Sequence, residues 1–167
     1  EEDENGFFAC YFKNQPWTEY ILKITYDNHT TEETEDPYSF SPLYSDEDLK
    51  KFTAGTHYDI YDIMGAHPVT IRGVKGVYFS VWAPEAMRVS VVGDFNLWDG
   101  RRHQMRKLKD SGVFELFIPG LENGTIYKYE IKTRHGDPML KTDPYASRME
   151  LRPDTAGIVD DLSSFTW

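Results

Sequence analysis

Between Val69 and Lys141 the chain is a succession of short apolar runs cut by turn residues, and that cadence admits little but an all-β fold. Val77-Tyr78-Phe79-Ser80-Val81-Trp82 is β-branched and aromatic and stops at Ala83-Pro84. Arg88–Val92 follows and stops at Gly93-Asp94. Gln104–Leu108 and Val113–Ile118 flank Lys109-Asp110-Ser111-Gly112, a turn cluster that reads as a hairpin. Thr125–Thr133 alternates, with Tyr127, Tyr129 and Ile131 on one face and Lys128, Glu130 and Lys132 on the other. Such a strand has one buried side and one wet side. With Val69–Arg72 and Met139–Lys141 there are about seven strands, which predicts an immunoglobulin-like β-sandwich.

The flanks read differently. Phe7–Phe12 and Glu19–Tyr26 have strand character across Asn14-Gln15-Pro16-Trp17, so residues 1–44 are expected to be part of a second β unit. Residues 45–65 read as a short helical connector. Ser45 with Asp48 forms a capping-box start, Leu49 and Phe52 share a face, and Gly55 can end the helix. Tyr58–Met64 suggests one more helical turn, closed by Gly65. The sandwich is then expected over 66–149, and 150–167 as a linker leading onward.

Charge and cysteine usage narrow the function classes. The 167 residues carry a net −10, but unevenly: residues 1–48 hold 13 acidic and 2 basic side chains, whereas the remainder is close to balanced. A nucleic-acid partner is disfavoured, because such binding relies on Lys and Arg releasing counterions from phosphates. A membrane surface is disfavoured on the same ground, and no apolar run approaches the ~20 residues of a spanning helix. The single cysteine, Cys10, allows neither an internal disulfide nor a cysteine-based metal site. No signal-like start is visible, and a soluble cytoplasmic setting is expected.

Catalytic patterns are not found. The five histidines are scattered, no nucleophile elbow or phosphate loop occurs, and no cofactor or metal site is expected. Asp94, Asp99 and Asp137 sit in turn contexts, where a carboxylate accepts from local backbone N–H groups.

A sugar site is a better prospect. A pyranose offers an apolar C–H face and a rim of hydroxyls, which calls for a flat aromatic and a few polar groups. Phe95-Asn96-Leu97-Trp98 follows the Arg88–Val92 strand. Phe95 is expected in the core, and Asn96 and Asp99 suit the turn. Trp98 is either a plug at the edge of the core or a stacking platform. Lys128, on the polar face of its strand, is either a solvated charge or a contact. Trp82 is expected to be partly buried, and Trp17 is undecided. One Trp face of on the order of 100 Å² yields about 2–3 kcal/mol, so binding near mM is expected once association costs are met.

The motifs carry a resemblance. Gly55-Thr56-His57-Tyr58-Asp59 through Gly65-Ala66-His67-Pro68 resembles the stretch preceding the glucan-binding module of bacterial 1,4-α-glucan branching enzymes. Phe79-Ser80-Val81-Trp82-Ala83-Pro84, Val92–Arg101, Gly112–Phe117, Tyr127–Ile131 and Lys141-Thr142-Asp143-Pro144-Tyr145 resemble, in order, the motifs of carbohydrate-binding module family 48. The resemblance implies a non-catalytic segment that binds α-1,4-glucan chains and packs on a family 13 catalytic barrel of the same polypeptide. The two carboxylates of such a barrel are not in this sequence. In sugar-binding members the Trp of F-N-x-W and the Lys of Y-K contact glucan, which implies Trp98 and Lys128, with Asn96 in the same motif. The family's second aromatic aligns with Leu140, a departure that removes half of the stacking surface. A purely structural module without sugar affinity, or the equivalent module of a debranching enzyme, is the alternative.

Overall fold

The computed structural model describes residues 9–11, 13 and 19–162. Phe7, Phe8 and Phe12 of the expected first strand, and Trp17, lie outside the described residues. The chain divides into two compact units, residues 1–35 and 36–167.

The described part of the first unit is a two-stranded antiparallel ribbon, β1 (Ile21–Thr25) and β2 (Thr31–Glu35). Its turn is closed by the Tyr26 N–H on the Thr30 carbonyl and by Asn28 Oδ1, which accepts from the Thr30 N–H.

The second unit is an antiparallel sandwich. One sheet runs in the order β3 (Gly65–Ile71), β4 (Val74–Trp82), β7 (Val113–Pro119) and β6 (Arg106–Lys107). The other contains β5 (Ala86–Val92) and β8 (Ile126–Thr133). Both β9 (Met139–Lys141) and β11 (Gly157–Ile158) pair with β8, and β10 (Arg148–Met149) pairs with β11. Alternate residues of β4 and β7 (Val77, Phe79, Val81, Phe114, Leu116, Ile118) face Val89, Val91, Tyr127 and Tyr129 between the sheets. Each such large side chain stabilises the fold by roughly 1.5–3 kcal/mol.

The other face of β4 and β7 is also covered. Tyr78, Val113 and Phe117 pack against Phe40, Tyr44, Leu49 and Met64, which the preceding segment lays across the sheet. This is why β4 and β7 read as continuous apolar runs instead of alternating. The segment includes α1 (Asp46–Thr53), whose capping box between Ser45 and Asp48 forms as expected. The Ser45 hydroxyl and N–H hold the Asp48 carboxyl below its ordinary value. The boundary between compact units falls nine residues earlier than the sequence reading placed it, because Phe40 and Tyr44 belong to the sandwich core.

Within the segment 150–167, expected as a linker, the described residues 150–162 join the sandwich. Ala156 and Val159 are buried, and β11 joins the sheet through Tyr127 and Ile126. The two-residue strands are too short to show a period in sequence.

Candidate functional site

The loop Gly93–His103 carries two of the sugar-site candidates, Asn96 and Trp98, and its shape is fixed from within. Asn96 is 1% exposed, and its amide is spent inside the loop. Its Oδ1 accepts from the Gly93 N–H (3.1 Å), and its Nδ2 donates to the Val91 carbonyl (2.9 Å) and to His103 Nδ1 (3.0 Å). Burial lowers the His103 pKa, which favours the neutral ring whose Nδ1 can accept that hydrogen bond. Phe95 packs against the core and edge-on to His103, as expected. Asn96, a candidate contact from the sequence, is therefore the internal pin of the loop and offers no free polar group to a ligand.

Leu97 and Trp98 both adopt positive φ, +59° and +57°. Consecutive left-handed residues outside glycine are strained and persist only where the surroundings hold them. Here the Trp98 N–H donates to the Gly93 carbonyl at 2.9 Å, and the Leu97 N–H to the Asp94 carbonyl at 3.1 Å. The turn presents Trp98 half-buried, with its indole Nε1 donating to Asp94 Oδ1 at 2.7 Å, beside Leu97, which is 78% exposed.

The loop then lies over the outer face of the β5–β8 sheet. The Ser90 hydroxyl, opposite Glu130 in the register, donates to the Gly100 carbonyl at 2.7 Å. Gly100 is so close to Glu130 that a Cβ there would fall 2.0 Å from Oε1. Arg88 pairs with the same Glu130. Lys128 projects from this face two residues along β8, opposite Val92. Its Nζ donates to Thr155 Oγ1 at 2.9 Å, and the Thr142 hydroxyl donates to the Thr155 carbonyl at 2.6 Å. Leu140, paired with Glu130 across β9, is on the same face and 49% exposed. Lys128 and Leu140 thus belong to one side of one sheet, and the loop that carries Trp98 crosses that side at Gly100. Asp99 is engaged by the guanidinium Nε and Nη2 of Arg101 and by its backbone N–H, which hold its carboxyl well below the usual range.

Two features escaped the sequence reading. Thr155 meets Lys128 only because β11 returns to the sheet, and no local pattern announces that. Asp143 is buried, accepting from the hydroxyls of Tyr127 (2.6 Å) and Tyr129 (3.3 Å) and from the Tyr145 N–H (2.8 Å). The signal available was two tyrosines on a buried face, each needing a partner for its hydroxyl. Trp82 is partly covered, as expected. It is 55% exposed at the end of β4, edge-on to Phe52, with its Nε1 donating to the Ser111 carbonyl at 3.2 Å. Among the described residues no group of three or more His, Cys, Asp or Glu is placed to hold a metal, and no helix is long and apolar enough to cross a membrane.

The fold and its outward aromatic loop define an all-β module of the immunoglobulin-like sandwich class. The profile of carbohydrate-binding module 48 (isoamylase N-terminal domain) matches residues 63–146, and the chain belongs to that family. It is 51% identical over 162 residues to the 1,4-alpha-glucan branching enzyme GlgB of Thermosynechococcus vestitus, covering 96% of this chain and 21% of that protein. It is also 51% identical to the enzyme of the same name from Synechocystis sp., covering 97% and 21%. The chain therefore spans about a fifth of the length of these relatives. A solved Klebsiella pneumoniae pullulanase complexed with maltotriose aligns with a TM-score of 0.48 at 26% identity, over 59% of this chain and 10% of its own.

Proposed function

We propose that this chain is a non-catalytic, α-glucan-binding and scaffolding segment of a cytoplasmic 1,4-α-glucan branching enzyme. It holds α-1,4-linked chains beside a catalytic barrel of the same polypeptide, which would cleave an α-1,4 linkage and re-form it as α-1,6. The observation that carries this reading is the indole of Trp98, presented half-exposed by an internally pinned loop that crosses, at Gly100, the sheet face bearing Lys128. The ring would stack on the C–H face of a glucose unit, and the Lys128 ammonium would donate to its hydroxyls. The membership in family 48 and the branching-enzyme relatives supply the substrate class. Affinity near mM is sufficient for such a role, because tethering raises the effective concentration of the polymer at a linked site.

Titration of maltoheptaose by isothermal calorimetry tests the reading. Wild type binds near mM, Trp98→Ala loses about tenfold or more, and Lys128→Ala loses less. Equal affinities for wild type and Trp98→Ala would overturn the platform.

A second reading is a scaffold that packs on the barrel without sugar affinity. It is favoured by the aliphatic side chain at Leu140, which leaves one aromatic face where the family site has two, and by the burial of Asn96, which removes a polar contact. Migration of the protein in glycogen-containing native gels separates the two: retardation excludes the scaffold-only reading.

A further inference from the structure

We propose that Asp94 is a positioning residue for the glucan platform: its carboxylate fixes the Trp98 indole by its Nε1–H edge, so that only the ring face is offered to the sugar. The inference rests on the proposed stacking role of Trp98 and adds to it a residue that sets the ring's orientation.

The geometry is specific. Asp94 and Trp98 are four residues apart within one tight turn, and Asp94 Oδ1 accepts from Nε1 at 2.7 Å, a short, charge-assisted hydrogen bond. Nε1–H is the only hydrogen-bonding group of an indole. With it engaged, the ring has no donor left for a hydroxyl and acts by stacking alone. The backbone beneath is already determined. Asn96 pins the loop at three points, the Trp98 N–H is held by Gly93, and Gly93 itself allows no side chain, since a Cβ there would fall 2.4 Å from the Ile126 carbonyl. What that backbone leaves free is rotation about the Trp98 side-chain torsions. The Asp94 carboxylate removes this freedom before the sugar arrives, which cuts the ordering cost of binding. The strain at Leu97 and Trp98 is consistent with a turn kept for presentation, since a relaxed turn would serve the core equally well. Asp94 is exposed and belongs to no ion pair among the described residues, and the indole is the side chain that its carboxylate holds.

The test combines two readouts on the same chain. In ¹H–¹⁵N spectra without sugar, the Trp98 indole N–H is expected downfield and slow to exchange with solvent in wild type. In Asp94→Ala it moves upfield and exchanges at least fivefold faster, and Asp94→Asn, whose amide oxygen still accepts, restores most of the wild-type behaviour. The other indole signals stay fixed, which confirms that the fold is intact. Maltoheptaose titration then gives at least a fivefold weaker Kd for Asp94→Ala and a near-wild-type Kd for Asp94→Asn, and Asp94→Ala adds no further loss on top of Trp98→Ala. Unchanged indole exchange in Asp94→Ala overturns the proposal without any reference to sugar. Losses that multiply in the double variant also overturn it, because they make Asp94 an independent contact. If Trp98→Ala binds as wild type does, the stacking role fails instead, and with it any function for the orientation that Asp94 sets.

Discussion

The carboxylate of Asp143 and the hydroxyl of Tyr127 meet at 2.6 Å inside the sandwich, tying the Asp-Pro-Tyr turn to the central strand β8. Burial pushes the Asp143 carboxyl above its ordinary value, and the hydrogen bonds from Tyr127, Tyr145 and Tyr129 oppose that shift without cancelling it. A carboxyl raised in the folded state binds its proton more tightly there than in the unfolded chain. Its contribution to stability is therefore complete below the unfolded value near 3.8 and declines as pH rises through the folded value. Urea midpoints of wild type and Asp143→Asn are expected to converge or reverse in that direction: the advantage of wild type is greatest in acid and shrinks on going from about pH 4 toward neutrality. An advantage that grows with pH would mean that the three hydrogen bonds outweigh desolvation.

His103 gives the opposite slope. Burial lowers its pKa, with Arg102 adding to the shift, so protonation is easier in the unfolded chain. The contribution is fully present above the ordinary value of 6.5 and is lost as pH falls through it toward the folded value. Protonation also removes the acceptor for Asn96 Nδ2. Between pH 7.5 and 5 the melting temperature of wild type is expected to fall more than that of His103→Gln. Parallel profiles for the two proteins would count against the neutral imidazole.

Gly100 is predicted to accept a methyl group only as the Glu130 carboxylate swings aside. Gly100→Ala should therefore cost about 1 kcal/mol, through the loosened pairing of Glu130 with Arg88. Glu130→Ala should cost less, since Arg88 then turns to solvent, and Gly100→Ala/Glu130→Ala should be more stable than the sum of the two effects. Thermal unfolding of the four proteins gives the coupling energy directly. Strict additivity would mean that the loop shifts away instead of pressing on β8.

Leu140 is half-exposed on the same sheet face as Lys128. Replacing it with tryptophan supplies the second aromatic that the family resemblance expects there. Leu140→Trp should tighten maltoheptaose binding by about tenfold, in line with ~1.5 kcal/mol from a further stacked ring. No gain, measured by the same calorimetry, would mean that a chain resting on Trp98 does not extend over β9.

Much of the sandwich was legible because its strands declare themselves locally. Tyr127, Tyr129 and Ile131 alternate with Lys128, Glu130 and Lys132, and the structure buries the two tyrosines in the core, with Ile131 packed against it. Ser45 and Asp48 announce the start of α1 through a contact three residues long. Phe40 and Tyr44 were read with the wrong neighbours, because what they cover, Phe117 and Tyr78, lies far along the chain. Ala156 and Val159 carry no local signal either, since the strand they flank is two residues long. At the candidate site, Trp98 and Lys128 are candidates by motif alone, whereas the enclosure of Asn96 depends on His103 and Val91 closing around it. Residue type made Asn96 a plausible sugar contact, and only the loop's geometry shows that its amide is already spoken for.

The layer formed by Phe40, Tyr44, Leu49 and Met64 gives the module a palm and a back. With the four-stranded sheet upholstered from behind, the proposed platform leaves a long polysaccharide the opposite surface to lie against. On that reading, a stretch of chain that looks like a mere connector sets the direction from which the polymer arrives.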